Sequence, residues 1–124
     1  MASPNIVNVG ILTARSAGTK LSTNTATPIL SNAASSNRVL KVNGVLAANI
    51  NGTSSADITL GFHPLAAGGG TPTYLAYTIP VPADTSIVLL DRAFGLYLEE
   101  NTSLVATASA ANYIDITVSY EEIS

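Results

Sequence analysis

The sequence predicts an all-β protein, a single antiparallel β-sandwich or jelly roll of about eight strands with an extended N-terminal arm. Three observations carry this. Short runs alternate apolar and polar residues at period two, as in Tyr113 to Tyr120, where Ile114, Ile116, Val118 and Tyr120 alternate with Asp115, Thr117 and Ser119. Turn-forming residues separate these runs at spacings of roughly ten residues. No apolar stripe at helical spacing runs beyond about two turns.

In chain order, Ile6 to Leu12 is strand-like, with Val7, Val9 and Ile11 on one side. From Thr13 to Ser36 the pattern dissolves into Ala, Gly, Ser, Thr and Asn, interrupted by Leu21 and by Pro28-Ile29-Leu30. A structureless stretch of that length is unusual inside a compact domain. Residues 1–36 therefore read as an arm with one or two short strands, ordered by other subunits or by the sheet edge, and residues 37–124 as the sandwich domain.

The sandwich opens with Arg38 to Ala48, which places Leu40, Val42, Leu46 and Ala48 on one face and Lys41 and Asn43 on the other, with Gly44 marking a bulge or a tight backbone approach. Asn51-Gly52 is a hairpin turn signal. Asp57 to Pro64 points Ile58, Leu60 and Phe62 inward, Gly68-Gly69-Gly70 forms a flexible tip, and Thr73 to Ile79 returns as the partner strand. Pro80 and Pro82 lack the N–H that a central strand donates, which makes Thr78 to Pro82 an edge or a strand ending in a turn at Ala83-Asp84. Ser86 to Leu90 is apolar after its first residue and reads as a strand buried on both faces. Asp91 to Gly95 connects it to Leu96-Tyr97-Leu98, and Glu99-Glu100-Asn101 turns into Ser103 to Ala108. Ser109 to Asn112 then joins that strand to Tyr113–Tyr120 as a hairpin.

Composition narrows the function classes. The chain has 124 residues, enough for one domain with its own core. Only 10% are charged, against about 25% in an average domain. Neutral polar surface of this kind costs little to desolvate and suits protein–protein contact. Arg15, Lys20, Arg38 and Lys41 precede the first acid, Asp57, so that part is net +4, whereas the remainder holds 8 carboxylates and Arg92, net −7, which sums to −3. This split suggests a basic segment of one subunit against an acidic edge of a neighbour. The acidic balance argues against nucleic acid as a partner. With no cysteine, neither a disulfide nor a thiolate metal site can form. The start shows no signal-peptide pattern and no run reaches the ~20 apolar residues of a membrane span, so a soluble, cytoplasmically made product is expected.

Nor is catalytic chemistry visible. His63, the sole imidazole, has no Asp or Glu within five residues, and no Gly-x-Ser-x-Gly elbow presents a serine nucleophile. Glu99-Glu100 and Glu121-Glu122 are sequence neighbours that point to opposite faces of a strand, which prevents proton sharing. Gly68-Gly69-Gly70 lacks the Lys and the helix of a phosphate loop. No catalytic residue, metal or cofactor is expected. Tyr74, Tyr77, Tyr97, Tyr113 and Tyr120 fit either a sugar-stacking platform or the core and rim of a sandwich. The candidate interface residues are Arg15, Lys20, Arg38, Lys41, Tyr74, Tyr77 and Tyr97.

From Ser36 to Ser124 the chain resembles small virion structural proteins of tailed bacteriophages, of the marine phage and cyanophage type. The likeness lies in Arg38-Val39-Leu40-Lys41-Val42-Asn43-Gly44, Tyr77-Thr78-Ile79-Pro80-Val81-Pro82-Ala83-Asp84 and Leu96-Tyr97-Leu98-Glu99-Glu100. It continues through Ser103-Leu104, Ala106-Thr107-Ala108-Ser109-Ala110 and Val118-Ser119-Tyr120-Glu121-Glu122. The resemblance implies a non-enzymatic sandwich in the virion: a decoration or cement protein on the capsid surface, bound to the major capsid protein as a homotrimer or other homo-oligomer. It implies no nucleic-acid or membrane partner. A neck, tail or baseplate component is the alternative within that family, and a carbohydrate-binding adhesion module the alternative outside it. The latter requires an exposed cluster of at least two tyrosines.

Overall fold

The computed structural model describes residues 10–124. Nine strands form two antiparallel sheets: β1 (Leu12–Lys20), β2 (Thr27–Asn32), β3 (Val39–Asn49), β4 (Ala56–His63), β5 (Thr73–Val81), β6 (Ser86–Leu90), β7 (Leu96–Leu98), β8 (Thr102–Ala108) and β9 (Ile114–Ile123). One sheet runs β1-β9-β3-β6, with β7 also on β3, and the other runs β2-β8-β4-β5. β6 and β7 both pair with β3, at Val45–Ala48 and Leu40–Val42, so they are two halves of one edge strand interrupted at residues 91–95. With that strand counted once, the order is the eight-strand, double-Greek-key arrangement of a jelly roll, and the expected all-β fold class holds.

The jelly roll explains why two expected hairpins are absent. β3 and β4, joined through Asn51-Gly52, lie in different sheets, as do β8 and β9, joined through residues 109–113. Among the described residues only β4–β5 is a hairpin within one sheet. Turn chemistry specifies that the chain reverses but not which sheet it enters. Asn51 makes its turn with its side chain: Oδ1 accepts from the Thr53 and Ser54 amides at 2.9 and 2.8 Å, an Asx turn that carries the chain across.

Within residues 1–36, expected as an arm with one or two short strands ordered by other subunits or by the sheet edge, the described part holds two strands on sheet edges. β1 pairs with β9 over nine residues and β2 with β8, so both are edge strands of the sandwich, and Leu21, Ile29 and Leu30 are buried in the core. Small side chains hid β1: in Thr13-Ala14-Arg15-Ser16-Ala17-Gly18 the ladder is a backbone property, and an edge strand needs few apolar residues. Residues 1–9, which include most of the strand expected at 6–12, lie outside the described residues.

Phase is corrected in β3. Leu40 and Val42 point inward as expected, but the register shifts between Val42 and Gly44, which inserts one residue. Past that bulge Val45 and Ala47 are buried, while Leu46 is 37% exposed and Ala48 only half-buried. A bulge at Gly44 entails this flip, because one extra residue reverses a period of two. The core fills the space between the sheets with Val42, Val45, Ile58, Leu60, Val81, Leu98, Leu104, Ile114, Ile116 and Val118, each fully buried. Such side chains contribute about 1.5–3 kcal/mol apiece.

Two buried asparagines close the sandwich. Asn32 Nδ2 donates to the carbonyls of Arg38 and Leu98 at 2.8 and 3.0 Å, and Asn49 Nδ2 to those of Ser54 and Val81 at 3.0 and 2.9 Å. Each ties a loop of one sheet to a strand end it does not pair with.

Candidate interaction surfaces

The glycine-rich segment, expected as a flexible tip, is held down. A single 3-10 turn at Ala66–Gly68 covers the outer face of the β2-β8-β4-β5 sheet. The buried Ser103 hydroxyl accepts from the Gly68 amide at 2.9 Å and donates to the Leu65 carbonyl at 2.8 Å. Asn101 Oδ1 and Ser31 Oγ accept from the Ala66 and Ala67 amides. Gly68 has φ +77°, and a Cβ there would stand 3.2 Å from Val105 Cγ2, which penalises larger residues on two counts. His63 lies under this loop with Nδ1 3.3 Å from the Gly69 carbonyl, a structural contact for the sole imidazole. Among the described residues no three His, Asp or Glu side chains converge as a metal site would require. The surface depressions are open; one of about 430 Å³ between Ala48–Ile50 and Asp84–Ser86 holds Asp84 as its one titratable group.

The seven sequence-selected interface residues fall on different faces. Three of the four cations pair with carboxylates of β9 in the same chain. Arg15 Nε and Arg38 Nη1 reach the two oxygens of Glu122 at 2.8 and 3.1 Å, and Lys20 Nζ reaches Asp115 Oδ1 at 2.9 Å. Cross-strand neighbours thus already satisfy within one molecule the complementarity expected between subunits. Lys41 stands opposite Glu121 on one side and Tyr97 on the other, on the outer face of the β1-β9-β3-β6 sheet.

Tyr74 and Tyr77 are brought together at the edge of the other sheet. Their ring centroids are 4.9 Å apart with the planes inclined at 59°, and the residues are 53% and 62% exposed. Two bulges in β5 put both residues on the outside, with Tyr74 opposite Gly61. Tyr97 is on the other sheet and takes no part in this pair, while Tyr113 and Tyr120 pack against the core.

Sequence reasoning missed an apolar surface on β3 and β6. The run Ser86 to Leu90, expected to be buried on both faces, is an edge strand with Val88 64% exposed beside Leu46, and Phe94 follows at 59%. An all-apolar run is the signal of a strand covered on both sides, and only the sheet order reveals that one side is bare. Val88, Leu46, Gly44, Thr117 and Ser119 line a shallow apolar depression of about 300 Å³ there.

No family model matches this chain, and no curated protein matches it. Solved structures do. A chain from Bacillus endospore appendages, described as a novel family of disulfide-linked pili, is similar at 18% identity and TM-score 0.53, over 92% of this chain and 87% of that one. A chain of the acid-stable capsid of Helicobacter pylori bacteriophage KHP30 is similar at 13% identity and TM-score 0.54, over 94% of this chain and 90% of that one. At these identities the likeness is one of fold.

Proposed function

We propose that this protein is a non-enzymatic structural component of a bacteriophage virion, a capsid decoration or cement protein that bridges major capsid protein subunits on the head surface. The observation that supports the reading is the likeness in fold to a phage capsid chain, which spans 94% of this chain and 90% of that one and so extends over the whole fold and not a shared submodule. The pilus-like alternative fits less well, since a chain without cysteine cannot form the disulfides that describe that family.

The mechanism is mechanical. Surface buried across the seams between capsomers adds association free energy that opposes expansion by packaged DNA. Val88, Phe94 and Leu46 supply exposed apolar area for such burial, and the low charge density keeps its desolvation cost small. A neck or tail location is the second form of the same reading.

The experiment is co-sedimentation of the purified protein with phage heads that lack it, followed by heat challenge of the decorated heads. Saturable binding at several copies per capsomer with a gain in heat resistance supports the cement role. Uptake by isolated connectors or tails, with none by heads, moves the protein to the neck or tail. The exposed Tyr74–Tyr77 pair meets the requirement stated for a carbohydrate-binding module, and a glycan array read with wild type and Tyr77→Ala tests that third reading.

A further inference from the structure

The four sheet edges differ in how they refuse another strand. β2 carries Pro28 and a register shift beside it. β5 carries Pro80, two register shifts and a positive φ at Thr78. The β6–β7 edge is interrupted at residues 91–95. Prolines, bulges, interruptions and unpaired charges are devices that stop edge-to-edge pairing. β1 makes nine consecutive pairs with β9 with no proline and no register shift, and its two charged residues, Arg15 and Lys20, are each paired with a carboxylate of β9.

The hydrogen-bond phase of that edge follows from one pair. Ile11 and Ser124 exchange both N–H···O bonds, each at 2.9 Å, and the register sum stays constant from there through Lys20 and Asp115. In an antiparallel ladder such pairs alternate with pairs that do not bond each other. Thr13, Arg15, Ala17 and Thr19 therefore turn their backbone groups toward β9. Leu12, Ala14, Ser16, Gly18 and Lys20 turn theirs outward, at residues whose side chains are all exposed.

We infer that β1 is the self-association edge of this protein: two copies pair β1 with β1 about a two-fold axis through Ser16, joining their sheets into one. A second copy is selected as the occupant by the small-residue centre of the strand and its internally paired charges, which meet their own copies without a clash. An antiparallel register centred on Ser16 sets Ala14 opposite Gly18 and Leu12 opposite Lys20, so that every outward-facing residue meets an outward-facing residue, making about ten hydrogen bonds. The side chains flanking the axis are Ala, Ser and Gly, with no bulk to separate the strands. Charges do not collide: the two Lys20 side chains fall at opposite ends of the seam, each bonded to its own Asp115, and each Arg15 is held by its own Glu122. The joined sheet has eight strands in the order β6-β3-β9-β1-β1-β9-β3-β6, an ordinary size. The inference stands independently of the virion reading.

The test is the mass of the full-length protein by sedimentation equilibrium up to several hundred micromolar, with Ser16→Pro as the perturbation. The Ser16 N–H faces outward, so proline there removes no bond to β9 and leaves the fold intact, yet it blocks the seam at its centre. Wild type is expected at dimer mass and Ser16→Pro at monomer mass with an unchanged far-UV spectrum. In NMR hydrogen exchange, the Ala14 and Gly18 amides should be protected in wild type and lose protection in the variant, while Thr13 and Ala17 stay protected in both. Should Ser16→Pro fail to fold, Ser16→Lys places two like charges face to face at the axis and is read the same way. A wild type that stays monomeric, a variant that keeps the dimer mass, or unprotected Ala14 and Gly18 amides in a wild-type dimer would each overturn the assignment.

Discussion

Deleting residues 1–35 distinguishes an N-terminal arm from integral strands. An arm could be removed and leave a folded sandwich; β1 and β2 could not. The deletion strips three core side chains, Leu21, Ile29 and Leu30, which are 0%, 6% and 8% exposed. At about 1.5–3 kcal/mol each for burial, their loss removes roughly 5–9 kcal/mol, before counting the Asn32 hydrogen bonds to Arg38 and Leu98. Whole domains of this size are stable by only about 5–15 kcal/mol. The deletion also bares β9 and β8, two long strands without prolines, as new edges. The truncated chain is therefore expected to lack a cooperative guanidinium transition by circular dichroism and to aggregate on size exclusion. Leu21→Ala in the full chain should lower stability by about 2–5 kcal/mol, where an arm residue would cost nothing measurable. A truncated protein that unfolds cooperatively at the wild-type midpoint would refute the reasoning.

Other expectations follow from the same geometry. Asn49→Ala strands the buried Val81 carbonyl, removes the part-buried bond to the Ser54 carbonyl, and should cost about 1–3 kcal/mol in urea titration, with an unchanged m-value. Glu122→Gln removes the partner of both Arg15 and Arg38, but both cations are more than half exposed, so the loss in thermal melts should stay within about 1 kcal/mol and shrink in high salt. Gly68→Ala meets a positive φ and the Val105 side chain together, and should destabilise by about 1 kcal/mol or more. Val88→Lys, on an exposed edge, should move the melting temperature little while weakening whatever binding the apolar face of β3 and β6 provides, as read by co-sedimentation with heads.

Much of this molecule is determined locally and is legible in the residues. The alternation in Ile114 to Tyr120 specifies a strand with one buried face, because side-chain direction has a period of two whatever the strand pairs with. The prolines at 80 and 82 specify an edge, because a missing N–H cannot serve a central ladder, and β5 is an edge. The missing cysteines and sparse charge bound the chemistry in any fold. What only the tertiary structure decided is which sheet each strand joins and what covers each face. The Asn51-Gly52 turn and the 109–113 link reverse the chain equally well within a sheet or across two. Ser86 to Leu90 is as apolar as a central strand, yet lies at an edge with Val88 in solvent. Thr13 to Gly18 looks featureless, yet becomes a continuous edge strand because β9 supplies its hydrogen bonds from a hundred residues away. Tyr74 and Tyr77 meet because bulges in β5 turn both outward, and Arg15 and Arg38 share Glu122 because β1 and β3 flank β9. Pairing between distant segments is a property of the whole chain, so a reading that advances one window at a time sees the strands and not their neighbours.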